Sequence, residues 1–249
     1  MFSAPRYIHN SFSITFPRQS SVRRKANDLE DALARKLPEH YAQPQVISVP
    51  DDLDPEIPRL VFGSRHGFSQ MVISQVSLSF NVLYSPEYQS DEAKRLAYLR
   101  LRIPVLYEIL AVIDSTEPYF CGLNTRVHIA SEATDGEVLA HVAKLLSRDE
   151  TAEGLHDLQF KRTRVVERRY FSNTAVQNYR VWLMQDKEPG LPRLSASDAR
   201  ERGVQIDSDF NDRFAFNEDS SYVSSSAVAT DLLVKGLAEV AGTVKLVGG

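Results

Sequence analysis

The stretch Asp207-Ser-Asp-Phe-Asn-Asp-Arg-Phe-Ala-Phe-Asn-Glu218 reads either as a metal-binding loop or as a strand, and the fold follows from that choice. Asp207, Asp209, Asn211 and Glu218 stand at its first, third, fifth and twelfth positions, and the backbone of Arg213 stands at its seventh. That is the oxygen spacing of an EF-hand calcium loop, closed by a bidentate glutamate. The sixth position, where a sharp turn normally calls for glycine, is Asp212. The preceding helix would have to contain Gly203 and the β-prone Val204-Gln-Ile206, and the following one would start in the weak helix former Asn217-Glu-Asp-Ser-Ser-Tyr-Val-Ser-Ser-Ser226. As a strand, the segment separates cleanly. Val204, Ile206, Ser208, Phe210, Asp212, Phe214 and Phe216 fall on one face, and Gln205, Asp207, Asp209, Asn211, Arg213, Ala215 and Asn217 on the other. The alternation therefore predicts a strand over Val204–Phe216.

Working outward, the strand is followed by a helix over Ser224–Val240 and preceded by a loop with one short helix. Before these come two strands, in Leu158–Phe171 and Thr174–Met184, a helix over Gly136–Arg148 and a strand over Thr125–Ala130. The first half has a similar order. Ser13–Phe16 reads as a strand, and Ser21–Leu37 as a helix with Leu29, Leu33 and Leu37 on one stripe. Strands follow in Val46–Val49 and Arg59–Ser64, and Gly67–Tyr84 supplies two more. A long helix over Ser90–Ile113 comes next, with Ser90 as N-cap and acids in its first turn. Pro104 is expected to kink or split it.

Gln75-Val-Ser-Leu-Ser-Phe-Asn81 and Gln205-Ile-Asp-Ser-Asp-Phe-Asn211 share Gln, Phe and Asn at equal spacing, and each precedes a long helix. A duplicated strand–helix unit accounts for this. The expected class is α+β: two similar lobes, 1–118 and 119–249, each a curved antiparallel sheet packed against a long helix.

This layout resembles a family of uncharacterised two-lobed proteins scattered sporadically among bacteria. The shared features are the N-terminal strand and helix, the strand entry Pro58-Arg-Leu-Val-Phe62, a hairpin, a long helix, and a late acidic strand before a terminal helix. Of that family's R-x-G-L-R-Y-x-N strand, the run Cys121–Ile129 keeps Gly122-Leu123 and a displaced Arg126. The resemblance implies a bacterial origin and brings no catalytic residue, cofactor or activity with it.

Composition limits the function classes. With 249 residues, 43% hydrophobic and 25% charged, the chain is long and apolar enough to bury a sizeable core. A net charge of −4 argues against a general nucleic-acid binder. One cysteine, Cys121, excludes an internal disulfide framework and fits a reducing cytoplasm. No signal-peptide pattern opens the chain and no apolar run reaches the roughly 18 residues of a membrane span, so a cytoplasmic protein without membrane attachment is expected.

Two clusters carry chemistry. Lys161, Arg162, Arg164, Arg168 and Arg169 offer forks for a phosphate or an acidic partner, or else keep an exposed hairpin edge soluble. Asp207, Asp209, Asn211 and Glu218 are the metal candidates. The histidines assemble into no known motif, and Cys121 reads as a small buried residue. The expectation is a non-enzymatic binding module with no cofactor, acting through a homo-oligomer or another protein partner. The alternative is a metal-dependent enzyme on a phosphate-containing substrate, its cation held by Asp207, Asp209 and Glu218 and its anion by the arginine run.

Overall fold

The computed structural model describes residues 2–146, 154–183 and 194–248. Its strands are β1 (Arg6–Thr15), β2 (Gln45–Val46), β3 (Leu60–Gly63), β4 (Ser69–Ile73), β5 (Ser77–Leu83), β6 (Phe120–Ala130), β7 (Gln159–Val166), β8 (Tyr170–Val181) and β9 (Glu201–Asn211). Its α-helices are α1 (Ala26–Lys36), α2 (Pro86–Gln89), α3 (Glu92–Val112), α4 (Asp135–Leu146), α5 (Arg213–Glu218) and α6 (Ser226–Gly248). The fold is α+β, as expected. In place of two sheets there is one, with nine antiparallel strands in the order β2-β3-β4-β5-β1-β6-β9-β8-β7. The two halves of the chain join in this one sheet, where β1 pairs with β6.

Strand alternation decides what each face holds. In register, Phe62, Met71, Phe80, Phe12, Leu123 and Phe210 run side by side across β3, β4, β5, β1, β6 and β9. All six are at most 1% exposed. Helices cover this face: α6 packs on β6 and β9, α3 on α6 and α1, and α4, beyond the row, on β8 and β9 over Val127, Val176 and Ile206. Asp91, rather than Ser90, caps α3 by accepting from the Lys94 N–H at 2.9 Å. Pro104 lies inside α3 without splitting it. Ile103, Val105, Leu106, Ile109 and Leu110 around it are all buried, and that packing offsets the one lost backbone bond.

β9 stops at Asn211 and not at Phe216, because Asp212 ends the ladder. Its carboxylate accepts from the Cys121 N–H at 2.6 Å and from the Ser224 and Tyr222 hydroxyls at 2.7 Å each. The chain turns there into α5. Phe214 and Phe216, expected beside Phe210, pack instead near the end of the opposite face, against Phe171 (centroids 5.4 Å apart) and Phe120 (5.6 Å). The helix expected over Gly136–Arg148 is described to Leu146; Arg148, and Met184 of the strand expected over Thr174–Met184, lie outside the described residues.

Candidate functional site

Away from α5, the second face of the sheet is polar, and no helix among the described residues covers it. Odd positions on β1 and β9 and even positions on β6 supply it. One row across the strands reads Asn81, Ser11, Asn124, Asp209, Asn173, Thr163, and the next reads His9, Arg126, Asp207, Ala175, Lys161. A groove of about 450 Å³ crosses these rows, bordered among others by His9, Ser11, Asn124, Arg126, Lys161 and Asp209. Ala175 leaves space where its row neighbours are long.

The side chains lining it are ordered by one another. Asp207 accepts from Arg126 Nε at 2.7 Å and from Gln205 Nε2 at 2.5 Å; His128 Nε2 lies 3.0 Å from Gln205 Oε1, its ring stacked on Tyr179. Asp209 is placed by amides alone: Asn173 and Asn211 each donate at 3.0 Å, and Thr163 Oγ1 in turn donates to Asn173 at 2.7 Å. Among the described residues no cation pairs with Asp209. Ser11 Oγ donates to Asn81 at 2.7 Å. Burial holds His9 below the ordinary histidine range, and the Arg126 charge beside it acts in the same direction. His128 is likewise lowered, chiefly by burial.

The expected metal ligands are only partly brought together. Asp207, Asp209 and Asn211 share this face, but their backbones are paired to β6 and β8 on both sides, leaving no loop that could wrap a cation. Glu218 is exposed at the end of α5. Among the described residues no three His, Cys, Asp or Glu side chains lie close enough together to hold a metal ion. The pairing of β9 on both sides thus does not form the loop that the EF-hand spacing of Asp207, Asp209, Asn211 and Glu218 suggested.

The basic run is split by the same alternation. Lys161 borders the groove, while Arg164 is on the opposite face in an ion pair with Glu239 of α6, and Arg162 shares its side of β7. Arg168 is exposed in the hairpin turn, where it and Glu167 have φ of 50° and 53°. Arg169 lies over the rings of Tyr170 and Tyr222. No single anion cradle results.

Asp212 escaped the sequence reading, although an acid in phase with Val204, Ile206 and Phe210 was the signal for it. It is 0% exposed and ties β6 to the start of α6. Cys121 beside it is also fully buried. Burial, with the Asp212 charge, pushes its thiol up to about 12, which favours the protonated, unreactive form at neutral pH. No protein-family model matches the chain, and no curated protein is significantly similar to it.

Proposed function

We propose that the chain is a non-enzymatic interaction module that holds a segment of a protein partner on the polar face of its sheet. The observation behind this reading is Asp209: a carboxylate fixed by amides, facing a groove, and without a cation of its own among the described residues. A Lys or Arg from a partner supplies that charge in a pre-set geometry. Leu83 and Val165, 62% and 47% exposed, flank the groove on the same face and offer apolar anchors, which such interfaces need alongside polar contacts. A second copy of the chain is the partner to test first, since symmetric self-association is the commonest case for soluble proteins.

The same proposal takes the chain to be an internal duplication of a cytoplasmic bacterial protein, with halves 1–118 and 119–249. The pairing supports this. Phe80 lies opposite Phe12, Phe210 opposite Leu123, and Phe12 opposite Leu123, so a half-turn about the centre of the sheet exchanges Phe80 with Phe210. The order strand, helix, strands, short helix, long helix also occurs in both halves, with four strands after the first helix in one (β2–β5) and three in the other (β7–β9). Membership of the sporadic bacterial family rests on layout and remains part of this proposal.

The test compares the wild type with Asp209→Lys and Leu83→Ser, by native mass measurement and by affinity capture from bacterial lysate. A dimer or a captured protein present for the wild type and lost from both variants supports the reading. A monomer that captures nothing, or capture indifferent to both substitutions, overturns it.

A further inference from the structure

A second pocket, of about 450 Å³, lies on the far side of the first half, where α3 meets the turn before β4. His66, Phe68, Tyr88, Lys94, Tyr98 and Arg102 are among the residues lining it. Its size is that of a small-molecule site. Aromatic rings make its walls: Phe68 lies 5.5 Å from Tyr88 and 5.3 Å from Tyr98, centroid to centroid, and the His66 ring stacks on Phe68 at 6.1 Å.

Arg102 is the unusual member. It is 3% exposed, its guanidinium sits 3.4 Å from the centroid of the Tyr98 ring, and its Nη1 donates to the Tyr98 carbonyl at 3.2 Å. Its Nε is buried with no acceptor among the described residues. No carboxylate pairs with it among the described residues. The two other buried arginines are better supplied. Arg59 reaches four backbone carbonyls, and Arg95 donates to those of Tyr88 and Gln89 at 2.9 and 2.8 Å while lying over the Tyr7 ring. A guanidinium stays charged under all ordinary conditions, and a buried charge without a counter-ion is costly. The buried Tyr41 hydroxyl lies beside Arg102 and offers it a neutral oxygen, not a compensating charge.

The pocket thus lacks one negative charge. Lys94 adds no second site for an anion, because it is already ion-paired with Glu87 and lies 4.0 Å from Asp91. One unpaired cation among flat rings matches a singly charged anion on a flat body. We propose that this pocket binds an aromatic monocarboxylate, its carboxylate on Arg102 and its ring among Phe68, Tyr88 and Tyr98. This site is separate from the sheet groove and does not depend on the role given to that groove.

The probes are benzoate and indole-3-carboxylate, each beside its neutral primary amide, together with phenyl phosphate, titrated calorimetrically into the full chain. The expected result is saturable binding of a carboxylate that exceeds its amide by about tenfold or more, the usual worth of a charge-assisted pair. Arg102→Met, which keeps the apolar stem, should remove that preference. Ala97→Trp, at an exposed α3 position lining the pocket, should block binding without touching Arg102, and it serves if Arg102→Met fails to fold. No saturable binding of either carboxylate, equal binding of the amides, tighter binding of phenyl phosphate, or affinity unchanged in the variants would each overturn the proposal.

Discussion

Arg126 and Asp207 face each other across β6 and β9, Nε to Oδ1 2.7 Å, in the open floor of the polar groove. Their side chains are 50% and 33% exposed, so water screens the pair. A double-mutant cycle with Arg126→Ala and Asp207→Ala should give a coupling of about 0.2–1 kcal/mol in urea unfolding. A coupling several times larger would mean that the groove is drier than its exposure indicates.

The pair has a consequence for acid stability. His9 and His128 have folded values below their ordinary 6.5, by burial first and, for His9, by the Arg126 charge. Between the folded and unfolded values the unfolded chain binds more protons, so stability falls as pH falls through 6.5 and levels off once both rings protonate in the folded state. Urea midpoints measured from pH 8 down to pH 5 should decline through that window. In Arg126→Ala the His9 titration, followed by NMR, should move upward.

Asp212→Ala removes the acceptor from three buried or half-buried donors at once. The expected loss is about 3 kcal/mol or more, given the cost of each buried donor left unmade. Asp212→Asn should cost less, since its oxygen can still accept. Cys121 reports on the same region. It should resist Ellman's reagent in the native protein at pH 8 and react at the rate of global opening, whereas fast labelling of the wild type would contradict its burial.

Phe80 and Phe210 are both fully buried. Either alanine substitution should cost about 3–5 kcal/mol. Asp209→Asn, on the opposite face of β9, keeps an oxygen to accept from the Asn173 and Asn211 amides and should cost less, about 1 kcal/mol or under. Thermal or urea unfolding of the three variants makes the comparison, and the reverse order would mean that the faces of β9 are exchanged.

Gly203 marks a close approach of β9 to β6. A Cβ built there would lie 2.1 Å from the Ile129 carbonyl oxygen and 2.9 Å from Ala130 Cα, both backbone atoms. Gly203→Ala should therefore cost at least about 1–3 kcal/mol by overpacking. Gly63→Ala, with nothing within 4 Å of the added carbon, is the control.

Much of this architecture could be read from the chain, because most elements have one dominant period. Leu29 and Leu33 marked α1, the alternation in Gly67–Tyr84 marked β4 and β5, and that in Val204–Phe210 gave β9 its faces. The reading failed where a tertiary contact outweighed local pattern. Phe214 and Phe216 stay in phase with Phe210 along the sequence, yet Asp212 turns the chain between them to reach Cys121, Tyr222 and Ser224, residues far away or in a later loop. β1 was read as four residues, since a register shift between Tyr7 and His9 breaks the alternation in Arg6–Asn10, which becomes a strand only against β5 and β6. The groove was missed for a similar reason: Asn81, Asn124 and Asn173 are unremarkable singly and meet only through register. Arg102 looked like an ordinary charge on a long helix, and its lack of a counter-ion is a property of the space around it.

The central position of β1 sets an order of events during synthesis. It leaves the ribosome before both its neighbours: Phe12 must wait for Phe80 on one side and, longer, for Leu123 on the other. Until β6 emerges, β1 has one bare edge in a half-built sheet, a surface that invites pairing with other nascent chains. Contacts this distant along the chain also slow the search for the native pairing. The protein should therefore fold slowly for its size, with its last step the meeting of β1 and β6 rather than the docking of finished halves.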